Sequence, residues 1–171
     1  MFRYCPDCSS QNIQFKEGKK SFCPDCGFTF YHNTAAAAGC VISTGTEIAL
    51  LIRAKDPAKG KLDLPGGFIN PGEGAIEGLR RECLEEISWD PGPDLVLFAS
   101  FPNIYPYKNI TYNTCDLFFT ITAPGLKPGD FKLEEHEIGG VLFVNPFEIK
   151  QEDLAFDSTR RAINAFLNFR K

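Results

Sequence analysis

Long hydrophobic runs are missing from this 171-residue sequence, and so is a large excess of charge of either sign. A membrane-spanning helix needs about 20 consecutive apolar residues, and no run approaches that length, so we expect no membrane partner. The formal net charge of -4 at pH 7 gives no overall field that would attract nucleic acid or an anionic membrane. The first residues also lack the apolar stretch and cleavage site of a secretory signal, so we expect a cytoplasmic protein.

Cysteine is the residue type that stands out, with seven in the chain. Three of them, Cys40, Cys83 and Cys115, lie in apolar segments, where a free thiol usually behaves as a small buried hydrophobe. An odd total without an export signal argues against a disulfide framework. The other four form two C-P-D-C units separated by 14 residues: Cys5, Cys8, Cys23 and Cys26.

The segment that holds these two units is too short and polar to fold around a hydrophobic core of its own. Four thiolates at this spacing can bind one Zn2+ ion tetrahedrally, and the binding free energy then becomes folding free energy. A redox-active dithiol is the alternative interpretation of a single C-x-x-C unit. The pattern resembles the zinc-ribbon family over residues 1–32. It implies a structural site, because four protein ligands leave no open position for catalysis.

Residues 33–171 have the texture of a second, larger domain in which strands and helices are interspersed. Long hairpins in place of regular crossovers indicate an α/β fold, a sandwich with a mixed sheet. Residues 74–86 predict a helix with an apolar stripe opposite its acids, and Asp157 or Ser158 is suited to cap a C-terminal helix. Apolar segments predict strands at 35–43, 47–53, 95–100, 111–123 and 140–144.

Five glutamates crowd the segment 67–89, which begins as a Gly-rich turn and continues as the predicted helix. Helical geometry places Glu82, Glu85 and Glu86 on one face, where like charges repel one another. Hard divalent cations such as Mg2+ need clusters of oxygen ligands, so we predict a metal site for phosphate chemistry. The alternative is a helix whose charged face is simply solvated.

This segment matches the signature of the Nudix hydrolases, G-x5-E-x7-R-E-U-x-E-E-x-G-U, where U is a bulky aliphatic residue. Gly67, Glu73, Arg81 and the three clustered glutamates stand at the required spacing. The chain therefore resembles a Nudix hydrolase, and the resemblance implies a Nudix-type α/β/α sandwich over residues 33–171. Two departures keep an apolar side chain, and a serine at the helix end affects the backbone rather than the chemistry. The departing positions are Cys83, Ser88 and Trp89.

The Nudix resemblance implies an enzyme that hydrolyses phosphorus-containing acid anhydrides with Mg2+ or Mn2+. Arg81 is expected to hold the acids by charge-assisted hydrogen bonds. Gly66 and Gly67 are expected to let the backbone approach phosphates and metals closely. For the general base we favour Glu82, and Glu135 on a later acidic loop is the second candidate. The expected metal ligands are Glu73, Glu82, Glu85 and Glu86.

A zinc ribbon joined to such a domain resembles the NADH pyrophosphatase branch of the family. The S-Q-P-W-P-F-P-x-S segment of that branch is matched in part by S-F-P-N-I-Y-P-Y-K-N at residues 100–109. We therefore expect cleavage of the pyrophosphate bond of a nucleoside diphosphate linked to another moiety, as in NADH, ADP-ribose or a nucleotide sugar. Four aromatic side chains offer flat faces to a base or a nicotinamide ring, or else merely cover the sheet: Phe101, Tyr105, Tyr107 and Tyr112.

Two other functions stay open. Lys16, Lys19 and Lys20, between the cysteine pairs, would support an enzyme that acts on RNA ends, although the net charge argues against a nucleic-acid partner. A module that senses nucleotides without hydrolysing them is the second, and the intact acid set argues against it. The expected partner is a small-molecule nucleotide, and a homodimer remains open.

Overall fold

The computed structural model describes residues 2–169, and the contacts within the chain divide it into two compact units. One unit ends at Thr34 and the other begins at Ala35. No helix within the described part of the chain is long and apolar enough to span a membrane.

The smaller unit is a three-stranded antiparallel sheet that accompanies two cysteine-bearing turns. Only Cys5, Ser21 and Cys23 are buried among its described residues, so packing alone gives it little stability. Its strands are adjacent in the order of the sequence: β1 (Gln14–Lys16), β2 (Lys20–Phe22) and β3 (Thr29–Tyr31).

The larger unit is built on a seven-stranded sheet. Its strands are β4 (Ala35–Ser43), β5 (Ile48–Arg53), β6 (Leu62–Asp63), β7 (Gly66–Phe68), β8 (Val96–Tyr107), β9 (Ile110–Thr122) and β10 (Ile138–Val144). Their order in the sheet is β10-β5-β4-β9-β8, and β6 pairs with β5 and β7 with β4. Strands β4 and β9 run parallel, whereas the other pairs are antiparallel, and the predicted mixed sheet is thereby confirmed.

Two helices, α1 (Ala75–Ile87) and α2 (Asp157–Phe169), each pack on a separate hydrophobic cluster of the sheet. Alternate residues of a strand point to opposite faces. In β4, Cys40 and Ile42 therefore join the cluster of α1, while Val41 joins that of α2. These layers confirm the predicted α/β/α sandwich. Two single-turn 3-10 helices complete the described elements: Pro128–Asp130 and Gln151–Asp153.

The three cysteines of the larger unit differ in their surroundings. Cys40 and Cys83 are fully buried, as predicted, but Cys115 is exposed, and the expectation of a buried thiol is wrong there. Cys115 pairs across the sheet with Ala36, which is exposed as well. The helix packed on that face of the sheet does not cover this end of β9, so an apolar sequence context did not lead to burial.

Helix α1 ends at Ser88, where the Nudix signature has glycine. Ser88 adopts a left-handed conformation, with a φ of 51°, which is the conformation that glycine adopts without steric cost. Its N–H bonds to the carbonyl of Leu84 at 3.1 Å. The departure from the signature is therefore accommodated by the backbone at the helix end.

Candidate active site

The Gly-rich turn and helix α1 place the acids of the signature beside β7. Gly74 precedes the helix, and its N–H donates to the Glu77 carboxylate at 2.8 Å. Glu73 lies in the preceding turn and accepts a hydrogen bond from the Asn70 N–H at 2.9 Å. These local bonds fix where α1 begins and which way its acid-bearing face is turned.

Arg81 is the centre of a hydrogen-bonded network of carboxylates. Its Nε and Nη2 donate to the two oxygens of Glu73 at 2.7 and 3.0 Å. Its Nη1 donates to Glu82 at 2.8 Å and to Glu85 at 3.0 Å, and Nη2 also reaches the Phe68 carbonyl at 2.9 Å. The Arg81 guanidinium lowers the pKa of Glu73 to about 2. Three acids of the signature are thus held by one arginine.

Both glycines of β7 lie so close to α1 or β4 that an added Cβ would force a neighbouring group to move. A Cβ on Gly67 would lie 2.6 Å from the Glu82 carboxylate, and one on Gly66 would lie 2.1 Å from the Ala38 carbonyl oxygen. The N–H of Gly66 donates to Glu86 at 2.9 Å. The backbone at these glycines was expected to approach phosphates and metals; here it lies close to the carboxylates of Glu86 and Glu82.

Burial perturbs the acids on the cavity side of α1. Burial raises the pKa of Glu86 to about 8, and the nearby carboxylates of Glu82, Asp63 and Glu137 raise it further. The hydrogen bond from the Gly66 N–H opposes this shift. Burial also raises the pKa of Glu82, although Arg81 opposes the shift. Glu85 is more open, with 59 % of its side chain exposed. A bound cation would relieve the repulsion among these groups.

The acids border a cavity of about 420 Å³ in the larger unit. Glu82, Glu85 and Glu86 line it, together with the predicted Gly66 and Gly67. Glu73 is absent from its walls, because both of its oxygens face Arg81. In this arrangement Glu73 faces Arg81 and not the cavity, and its role as a metal ligand stays a prediction.

The later acidic loop contributes different residues from the one predicted. Glu134 and Glu137 line the cavity, whereas Glu135 is exposed and lies outside it. A turn causes this arrangement, since the Glu137 N–H donates to the Glu134 carbonyl at 3.0 Å and so places both residues on one side. Glu135 as the general base stays a prediction, and Glu137, which is paired with Lys55, is the carboxylate of this loop that borders the cavity together with Glu134.

Of the four predicted aromatic residues, only Tyr105 lines the cavity. Phe101 packs on Phe118 in the hydrophobic cluster between α2 and the sheet. Tyr107 lies near the hairpin tip and is 45 % exposed. Tyr112 contacts the Phe68 ring at 6.0 Å but is not part of the cavity wall. For these three the sheet-covering alternative fits better.

Sequence reasoning missed several residues of the cavity. Phe68 and Phe156 flank Tyr105, with ring centroids 5.3 and 5.5 Å away. Arg53 lies 5.1 Å from the Phe156 ring and forms an ion pair with Asp63 at 3.3 Å. The polar residues of the wall, besides the acids of α1, include Lys55, Asn103, Thr114, Asp116, Ser158 and Thr159.

The four cysteines of the smaller unit form a compact cluster, with all sulfur atoms within 4.8 Å of one another. The Cys5–Cys26 and Cys8–Cys23 sulfur pairs are 3.6 and 3.7 Å apart. A tetrahedron with Zn–S bonds of about 2.3 Å has S–S edges of about 3.8 Å, whereas a disulfide would need about 2.05 Å. The predicted four-cysteine cluster is confirmed, and its geometry fits Zn2+.

Residues 33–166 match the family described as the NUDIX domain, and this match spans more than half of the chain. The chain belongs to the Nudix family. The resemblance inferred from the spacing of glycine, glutamate and arginine is thereby confirmed.

Similar proteins include the NAD-capped RNA hydrolase NudC of Chromobacterium violaceum, 31% identical over 85 residues. That match covers 50% of this chain and 32% of the relative. The NAD-capped RNA hydrolase NudC of Pseudomonas fluorescens is 33% identical over 86 residues, which are 50% of this chain and 31% of the relative. The matched part therefore spans less than half the length of these curated relatives.

Solved structures share the fold. A NUDIX hydrolase from Nitrosomonas europaea has a TM-score of 0.69 at 23% identity and covers 99% of this chain and 92% of its own. The NUDIX domain of Shewanella oneidensis NrtR, solved with ADP ribose, has a TM-score of 0.68 at 18% identity, over 82% of this chain and 91% of its own. At these identities the likeness establishes the fold.

Proposed function

We propose that this protein is a metal-dependent pyrophosphohydrolase that cleaves the pyrophosphate bond of a nucleoside diphosphate linked to another moiety. One observation carries the proposal: Glu82, Glu85 and Glu86 line the same cavity as Tyr105 and Phe156. A charged diphosphate and a flat ring system can therefore be accommodated in one continuous space. NADH, ADP-ribose and nucleotide sugars all have this combination of parts.

In this proposal Glu82, Glu85 and Glu86 hold Mg2+ or Mn2+, whose contribution when bound is to neutralise charge on the phosphate oxygens. Arg81, supported by Glu73, sets the positions of Glu82 and Glu85. The absence of side chains at positions 66 and 67 keeps the backbone close to the acids.

Proton transfer requires a carboxylate that faces the cavity. Glu82 remains our first candidate for the general base, and Glu137 replaces Glu135 as the second because Glu137 borders the cavity. Arg53 and Lys55 are cations on the same wall, where they suit contacts with phosphate oxygens. Both are paired with acids, Asp63 and Glu137, so a phosphate would have to share them.

We assign a structural role to Zn2+ in the smaller unit, because four cysteines would fill its coordination shell. We further propose that the two units correspond to a zinc ribbon, residues 1–32, and a hydrolase domain, residues 33–171.

The test is release of a nucleoside monophosphate from NADH, ADP-ribose and a nucleotide sugar with Mg2+ or Mn2+, read by product mass. Glu85→Gln should reduce the rate at least about a hundredfold if an acid of the site is essential. Glu77→Gln is the matched control, because Glu77 lies on the same helix but outside the cavity, and the glutamine oxygen can still accept the hydrogen bond from the Gly74 N–H. Tight nucleotide binding without turnover would instead identify the non-hydrolysing module.

An RNA-linked substrate is the second candidate, because the two similar proteins from Chromobacterium violaceum and Pseudomonas fluorescens are NAD-capped RNA hydrolases. The lysines that would support it are engaged within the smaller unit. Lys19 and Lys20 contact Glu17, and Lys16 lies 4.8 Å from the Phe22 ring. A binding affinity that depends strongly on salt with capped RNA, and not with the free dinucleotide, would favour this candidate.

The cytoplasmic location and the homodimer remain predictions.

A further inference from the structure

The cavity wall includes a polar patch on β9 that the hydrolytic chemistry does not use. Thr114 and Asp116 are two residues apart and therefore face the same side of the sheet. Both line the cavity, although only 2% of Thr114 and 8% of Asp116 is exposed. The patch is thus almost completely shielded from bulk solvent.

Within the described chain, two atoms of this patch have no hydrogen-bond partner: Thr114 Oγ1 and Asp116 Oδ1. A buried polar atom without a partner destabilises the folded state, and native proteins contain few such atoms. Such atoms beside a cavity are what a site retains for hydrogen bonds to a ligand.

The second oxygen of Asp116 is fixed by helix α2. Ser158 Oγ donates to Asp116 Oδ2 at 2.6 Å, and the neighbouring Thr159 donates to Asp63 at 2.8 Å. Ser158 therefore holds the Asp116 carboxylate in place, while Oδ1 stays without a partner. Ala37, which pairs with Asp116 on β4 and also borders the cavity, has only a methyl group and so leaves space beside it.

We propose that Asp116 and Thr114 recognise the ring system of the substrate through an amino group that lies next to a hydrogen-bond acceptor. The carboxylate oxygen accepts from the amino group, and the threonine hydroxyl donates to the acceptor. Tyr105, Phe68 and Phe156 on the same cavity offer ring faces to a planar group. The proposal rests on the proposed function for its diphosphate-linked substrate.

Two parts of a dinucleotide present this pattern: the amino edge of adenine and the carboxamide of nicotinamide. A 6-oxo base would place an acceptor opposite Asp116, and a ring carboxylate would place a negative charge there. Both replacements should be rejected, because the buried oxygen of Asp116 would then face another acceptor.

The experiment measures binding by calorimetry without added divalent ions, so that it does not depend on hydrolysis. ADP-ribose is compared with its hypoxanthine analogue, and NAD with its nicotinic acid analogue. In each comparison the amino compound should bind about tenfold or more tightly if its group contacts this patch. The pair that shows this difference identifies which ring occupies the patch.

Asp116→Asn should abolish or reverse that preference, because the new amide can donate to an oxo group or a carboxylate while still accepting from Ser158. Asp94→Asn is the matched control, since Asp94 is exposed and outside the cavity. Equal binding within both pairs of compounds, or a preference that Asp116→Asn leaves unchanged, would overturn the proposal.

Thr114→Val supplies a second, independent test. It should weaken binding of the amino compound while leaving the melting temperature equal or higher, because it removes a buried hydroxyl that lacks a partner. A lower melting temperature with unchanged binding would show a purely structural role. If nucleotides bind with the expected preference but are not hydrolysed, the proposed function fails and this inference stands.

Discussion

Arg81 and Glu73 form a two-point ion pair, in which Nε and Nη2 of the arginine reach the two carboxylate oxygens at 2.7 and 3.0 Å. The pair joins the turn before α1 to the middle of the helix. Arg81 also donates hydrogen bonds to Glu82 and Glu85. The orientation of these two acids therefore depends on Arg81, which does not itself line the cavity.

Glu73→Gln should lower the free energy of unfolding at neutral pH. The Arg81 contact lowers the pKa of Glu73 from 4.5 to about 2. The stabilisation is therefore fully present above the unfolded pKa near 4.5 and is lost as the pH falls towards 2. Urea unfolding at several pH values should show a gap between wild type and variant that closes on acidification. Glu148→Gln, at an exposed position, should show no such gap, and a gap that persists at pH 2 would contradict the assignment.

Gly67→Ala should impair hydrolysis more than folding. Its Cβ would lie 2.6 Å from the Glu82 carboxylate, which is the end of a flexible side chain and can move aside. We expect at least about a tenfold fall in kcat with little change in melting temperature. Gly129→Ala is the control, because a Cβ there meets nothing within 4 Å. Full activity of the Gly67 variant would show that the position of Glu82 is unimportant.

Gly66→Ala should instead impair folding, and should therefore lower the free energy of unfolding. Its Cβ would lie 2.1 Å from a backbone oxygen, and its φ is +137°, so the backbone itself must shift. We expect a loss of about 2 kcal/mol or more in unfolding free energy, measured by urea denaturation. Stability equal to that of wild type would contradict the packing of β7 on β4.

Ser88→Gly should stabilise the protein. Ser88 is exposed and has a φ of 51°, a conformation that costs a residue with a side chain about 1 kcal/mol relative to glycine. The melting temperature should rise while the rate of hydrolysis stays the same. A fall in melting temperature would mean that the serine side chain contributes more than its backbone strain costs.

Cys8→Ser should abolish stoichiometric zinc in the purified protein, which is measured by elemental mass spectrometry. Three thiolates bind Zn2+ less tightly than four, and few other groups are buried among the described residues of the smaller unit. Cys115→Ser should retain one Zn2+ per chain, because Cys115 lies in the other unit and is exposed. Full zinc content in the Cys8 variant would contradict a four-cysteine site.

The sequence allowed prediction of those features that depend on short spacing. The acids of α1 follow one another at helical intervals, and the cysteines occur in pairs, so local geometry brings both sets together. Strand and helix periodicity predicted an α/β sandwich with a mixed sheet, and the family resemblance implied its α/β/α layers. Gly67 and Arg81 could also be predicted, because the family signature fixes their spacing from the acids along the chain.

Residues brought together by long-range pairing were missed. Asp116 reaches Ser158 across 42 positions of sequence, and nothing near either residue indicates the other. Tyr107 and Phe101 lie on the same strand as Tyr105, yet one is near the hairpin tip and the other packs in the core. Whether a side chain of β8 meets the cavity depends on strand register and on where α2 begins, and a local pattern encodes neither.

The alternation of β9 gives the protein a ready attachment point for a fluorescent label. Cys115 lies between Thr114 and Asp116 but is exposed on the opposite face of the sheet. A dye attached to Cys115 would therefore lie close to the polar patch, on the other side of β9, without entering the cavity. Cys40 and Cys83 are shielded from solvent, and a bound Zn2+ would protect the remaining four thiols. One maleimide reaction on the unaltered chain would then produce a singly labelled reporter of nucleotide binding.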